Sequence, residues 1–223
     1  IVLTHGHWDH LLGPEHFPGV PVIAHAAYAE GMEGERGQHT AEQVARWLQT
    51  AGVERAVPFS LPAADRTFTE ARTLHVGGIE LRLVHAPGHE VDEIVVYHAA
   101  TGALWAGDML SDLEIPFVFH SLLAYERTLE MIALWDVEVL VPGHGRATAD
   151  VNEIRSRIED DRTYVAELRE RVTRATGEGR TVEETVALCA GMRYKHQDDN
   201  RPAHDANVRA TYEELGDGGG SVR

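Results

Sequence analysis

The sequence predicts a mixed α/β (α+β) domain. Three observations carry that reading: short apolar β-prone runs that stop at glycine or histidine turns, two hairpin-like turns mid-chain, and a long charged helical stretch near residues 149–175. Residues 1–4 (Ile-Val-Leu-Thr) read as a buried strand stopping at His5. A His/Gly/Asp-rich turn follows, and residues 9–13 are expected to open a helix. Residues 20–24 (VPVIA) read as a second short strand and residues 26–30 as a helical piece. The stretch 31–38, with three glycines and mixed charges, is expected to be a mobile loop. Thr40 is then expected to cap a helix running to about Ala51, with Val44, Trp47 and Leu48 as its apolar stripe.

From residue 72 the pattern turns to strands. Residues 73–76 and 79–85 flank Gly77-Gly78, and residues 94–98 and 104–106 flank Ala100-Thr101-Gly102; both read as hairpins. Helical periodicity returns at 125–134, followed by a strand at 138–141, the long helix at 149–175 and a shorter one at 182–191. Residues 204–215 read as an amphipathic helix with Val208, Tyr212 and Leu215 facing the body. Residues 1–215 are taken as one domain, 149–215 being its helical C-terminal part, and 216–223 as a flexible tail.

Composition narrows the function. Of 223 residues, 43% are hydrophobic and 25% charged, an ordinary globular balance. Twenty basic against thirty-six acidic residues give a net charge of −16, which repels phosphate backbones and anionic lipid. A small-molecule substrate is therefore expected, with neither nucleic acid nor membrane as partner; oligomeric state is left open. The lone Cys189 excludes a disulfide framework and, lying in an apolar run, reads as a buried inert thiol. No run approaches 18 apolar residues and no signal peptide is visible, so a cytoplasmic protein is expected. The chain starts at Ile1, inside a predicted strand, and reads as a piece of a longer protein.

Fourteen histidines carry the functional argument. His5-Gly6-His7-Trp8-Asp9-His10 places three imidazoles and a carboxylate within six residues, directly after an apolar strand. Imidazole and carboxylate form the zinc or iron ligand set where thiolates are absent. Gly6 eases the bend that lets the side chains converge. Two further segments run strand, Pro-Gly turn, histidine: Ala86-Pro87-Gly88-His89 and Val141-Pro142-Gly143-His144. Trp105-Ala106-Gly107-Asp108 delivers a carboxylate in the same way. Singly each is weak; four strand-end donors in one chain form a pattern. The other histidines read as structural or unpartnered. His120, in the apolar 111–123 loop after Asp108, is the best outside candidate for touching substrate, and that loop suits a pocket wall or partner contact, or equally a core segment.

His5-x-His7-x-Asp9-His10, followed in order by His89, Asp108 and His144, resembles the metallo-β-lactamase superfamily from Ile1 to about Gly145. The resemblance implies a four-layer αββα sandwich, here lacking its first strands, with the site at one edge of the two sheets. It also implies that His5, His7 and His89 hold a first metal ion. Asp9, His10 and His144 would hold a second, with Asp108 bridging. The implied cofactors are two divalent ions, zinc ahead of iron or manganese. Such a pair holds a hydroxide ionised near neutral pH and polarises a carbonyl, and Asp9 beside it can shuttle a proton to the leaving group. Where many relatives have a small hydroxyl residue or Thr-Pro after His89, this chain has Glu90-Val91-Asp92. The expectation is a metal-dependent hydrolase acting on a small ester, thioester, lactone or amide. A mononuclear Fe(II) persulfide dioxygenase and a catalytically dead metal-binding module are the alternatives.

Overall fold

In the computed structural model, which describes residues 1–216, the chain opens in extended form against β1 (Ile23–His25). Leu3 N donates to Ile23 O and Ile23 N to Ile1 O, both at 2.9 Å, a parallel bridge rather than a full strand. Residues 9–13 do not open an α-helix. They lie in and after a 3-10 turn, Trp8–His10, and a second such turn covers Pro14–His16. Pro14 has no N–H to bond back to His10, so an α-helical ladder cannot pass it.

Helix α1 (Ala26–Met32) follows β1, and α2 spans Glu35–Thr50. The expected loop at 31–38 is thus largely helix, and Thr40 is no cap. It lies buried inside α2, its hydroxyl 3.5 Å from Gly6 O. Gly37 explains the misreading: a Cβ there would stand 2.0 Å from Met32 O, so this glycine serves a tight corner between two helices. Strand β2 (Arg66–Phe68), which the sequence reading did not foresee, pairs in parallel with β1.

The central strands match their pattern. β3 (Ala71–Val76), β4 (Ile79–His85), β5 (Ile94–His98), β6 (Ala103–Trp105) and β7 (Val139–Val141) form one sheet in that order, antiparallel except for the β6–β7 pair. The β3–β4 turn places Gly77 and Gly78 at φ 57° and 82°, the left-handed pair a tight hairpin requires. The remaining helices are α3 (Leu122–Ala133), α4 (Val151–Gly177), α5 (Val182–Cys189) and α6 (Gln197–Gly216). Val208 is fully buried, with Tyr212 and Leu215 packed beside it, and Cys189 is buried as expected. The tail expectation falls outside the described residues save for Gly216, which ends α6.

Strand alternation sorts the core into layers. Val84, Val95, Tyr97, Leu104 and Leu140 face α3, α4 and α6. From the opposite face Leu83, Ile94 and Val96 meet Ile23, Val2 and Phe68 between the two sheets. Val22 and Ala24, neighbours of Ile23 on the other side of β1, pack with Leu3 against Tyr28 and Met32 of α1. The order is helix, sheet, sheet, helix.

Candidate metal centre

β4 and β6 both run antiparallel to β5, and β7 runs parallel to β6, so the C-terminal ends of β4, β6 and β7 share one sheet edge. His89, Asp108 and His144 lie just beyond those ends, and the turn after the extended Ile1–Thr4 segment delivers His5, His7, Asp9 and His10 to the same place. All seven side chains singled out in the sequence converge. Donor atoms of His5, His7, His89 and Asp108 lie within 4.8 Å of one another, and so do those of Asp9, His10 and His144.

Asp108 joins the two groups. Its Oδ2 lies 3.5 Å from His5 Nε2, 3.6 Å from His89 Nε2 and 3.3 Å from His144 Nε2, while its Oδ1 lies 3.0 Å from His10 Nε2. Asp9 Oδ2 is 3.2 Å from His144 Nε2 and 3.5 Å from His10 Nε2. Two glycines make this crowding possible. A Cβ on Gly143 would stand 2.5 Å from Asp108 Oδ1, and one on Gly107 (φ 56°) would stand 1.8 Å from Glu93 Oε1.

Two carboxylates and a carbonyl not assigned from the sequence brace the imidazoles, and a third carboxylate is linked to them through Arg36. Glu93, fully buried, sets Oε2 3.1 Å from His5 Nδ1, and its Oε1 accepts from Asp108 N at 3.2 Å. Glu90 Oε1 is 2.9 Å from His7 Nε2. Arg36 on α2 ties Glu90 (3.3 Å) to the buried Asp92 (2.6 Å). His89 Nδ1 donates to Phe117 O at 3.0 Å. The residues that break the expected motif after His89 are therefore part of the site. The available signal was three acidic residues within four positions (Glu90, Asp92, Glu93) between a candidate ligand and a buried strand.

Burial holds the His5 imidazole down to about 4 and that of His89 to about 3, so both are neutral at ordinary pH. Burial also opposes the charge on Asp108, but the close His10 and His5 imidazoles outweigh it and keep the carboxyl well below the usual range. Those same contacts with Asp108 raise His10 against its own desolvation. Burial pushes Glu93 well above the usual carboxylate range.

The donor set fits a divalent metal pair. His5 Nε2, His10 Nε2 and Asp108 Oδ1 are buried without a hydrogen-bond partner, although buried polar atoms rarely stay unpaired. They sit among imidazole and carboxylate donors of the type zinc, iron and manganese accept. The pocket above them has a volume of about 480 Å³. One wall is the polar face of α2 (Arg36, His39, Gln43) and the other is Phe117 and Phe119. His120 does not line it; its backbone N bonds to His89 O at 3.1 Å. The 111–123 loop combines two of the alternatives: Ile115 and Val118 are buried core, while Phe117 and Phe119 face the pocket. Helix α6 pins this loop. Asn207 accepts from Val118 N (2.8 Å) and donates to Pro116 O (2.6 Å), and Glu214 accepts from Leu122 N (2.7 Å). His204, for which no partner was foreseen, is buried between Tyr164 OH and Cys189 O.

Comparison with known proteins follows the same residues. The sequence model of the metallo-beta-lactamase superfamily matches residues 1–144. A hydroxyacylglutathione hydrolase from Jannaschia sp. (strain CCS1) is 27% identical over 189 residues, covering 84% of this chain and 64% of that protein. The acyl-coenzyme A thioesterase MBLAC2 of Gallus gallus is 28% identical over 158 residues, covering 64% of this chain and 55% of that protein. The chain thus spans less than two thirds of the length of these relatives. A crystal structure of a metallo-beta-lactamase family protein from Thermus thermophilus aligns with 98% of this chain and 74% of its own, at TM-score 0.66 and 24% identity, a likeness of fold.

Proposed function

The chain belongs to the metallo-β-lactamase superfamily, and we propose that it is a metal-dependent hydrolase with a dinuclear zinc centre that cleaves a small ester, thioester, lactone or amide. The observation that carries the reading is Asp108, a single carboxylate whose two oxygens face both donor groups. His5, His7 and His89 would hold one ion and Asp9, His10 and His144 the other, with Asp108 shared. When bound, such a pair supplies a water nucleophile ionised near neutral pH and polarises the scissile carbonyl.

The chain's own groups do the rest. Asp9 offers Oδ2 on the His144 side of the centre and carries a proton to the leaving group. Phe119, with its ring 5.4 Å from His7 and 5.5 Å from His89, walls off one flank. A pocket of about 480 Å³ suits a small molecule. The names of the curated relatives support hydrolysis of an acyl bond.

Metal analysis tests the assignment. Zinc-loaded protein is expected to hold two ions per chain and to lose ester hydrolysis on chelation, with His144→Ala dropping to one ion. One ion per chain, unchanged by His144→Ala, overturns the dinuclear reading. Iron together with persulfide-dependent oxygen uptake overturns the hydrolase.

A further inference from the structure

A second cavity, of about 160 Å³, adjoins the metal pocket and shares Phe117 and Phe119 with it. Its floor is α6, where Ala203, Ala206 and Ala210 leave one helix face open. Asn207 is the one polar residue in its lining, and that side chain is already committed. It bonds Val118 N, Pro116 O and, at 2.9 Å, Tyr164 OH. No side-chain polar group is left for an occupant, so the cavity favours hydrocarbon. Phe119, 61% exposed, stands between this cavity and the imidazoles of His7 and His89.

We propose that this cavity receives the acyl chain of the substrate, which makes the preferred substrate an ester or thioester of a medium-length, unbranched acid. The inference rests on the hydrolase reading above and adds the substrate class. Orientation follows from the two flanks. Asp9, the proton carrier for the leaving group, pairs with His10 and His144, whereas Phe119 edges onto His7 and His89. The leaving group therefore points to the Asp9 side and the acyl chain points to Phe119.

Two homologous series test it on zinc-loaded protein: nitrophenyl esters from acetate to octanoate, and acetates of alcohols of the same lengths. Along the acyl series kcat/KM is expected to rise about fourfold per methylene until the cavity is full. The alcohol series should stay nearly flat. Ala206 is exposed, so the fold tolerates a larger side chain there, and Ala206→Leu should bring the hexanoate-to-acetate ratio close to one. That ratio is taken within one variant and does not depend on how much of it is folded. A flat acyl series with acetate turned over, a steeper alcohol series, or a ratio unmoved by Ala206→Leu overturns the proposal. If no ester is cleaved, the hydrolase reading fails first. Calorimetry with octanamide then decides the cavity alone: binding weakened at least tenfold by Ala206→Leu supports it, and no binding to the unsubstituted protein overturns it.

Discussion

The two halves of the centre are built to different standards. In the first, His5 and His89 are almost completely buried, and each of the three imidazoles has its second nitrogen faced by an oxygen: Glu93 on His5, Glu90 on His7 and the Phe117 carbonyl on His89. In the second, Asp9, His10 and His144 are half-buried, and among the described residues no hydrogen-bond partner meets Nδ1 of His10 or His144. Two of the second group ride on a short 3-10 turn rather than on a strand end. Braced ligands bind with their geometry already set, and unbraced ones must be ordered by the ion. On the dinuclear reading proposed above, the first half would be a preformed socket and the second would gain its order on loading.

The sharpest way to break this comparison is at Asp9. Asn keeps an oxygen in place but carries no proton. Asp9→Asn at saturating zinc is expected to lose about 10²–10⁴-fold in kcat, least for a nitrophenolate leaving group. Full activity on a poor leaving group would reduce Asp9 to a ligand. A smaller effect probes the bracing. Glu90→Gln should weaken metal affinity in the first half by about 10–100-fold while sparing the second. Equal weakening of both ions in a competition titration would show that Glu90 supports the turn as a whole.

The mildest effect is in pH. His5 and His89, held at about 4 and about 3 by burial, have no proton to surrender to a metal above pH 5. Their contribution to affinity should change little between pH 8 and 6. His10 is raised, so below its titration point an ion must displace a proton, and affinity in the second half should fall by up to about tenfold per pH unit. Chelator competition at several pH values measures both slopes, and matching slopes would erase the distinction between the halves.

How legible each part was in the sequence follows from how local its cause is. The seven converging side chains stood out because strand ends, glycine turns and unusual residue types coincide within a few positions. Glu93 did not, because it is an ordinary glutamate until the fold buries it against His5 and Asp108. β2 is three residues long and mostly exposed, and its partner β1 lies some forty residues earlier, so no local periodicity marks it. The start of α2 was hidden by Gly37, whose purpose is visible only once Met32 is seen against it.

The clasp of α6 on the 111–123 loop has a consequence for how the centre comes into being. Chains leave the ribosome from the N-terminus, so the His5–His10 turn emerges first, while Asn207 and Glu214 follow roughly 200 residues later. At about 5–20 residues per second that interval is on the order of 10–40 s. Until it ends, the loop whose Phe117 carbonyl accepts a hydrogen bond from His89 Nδ1 has its backbone bonds to Gly88 and His89 but lacks the clasp of α6. The first side chains of the centre to be made must therefore wait roughly 200 residues, for α6, before the loop beside them takes its final form.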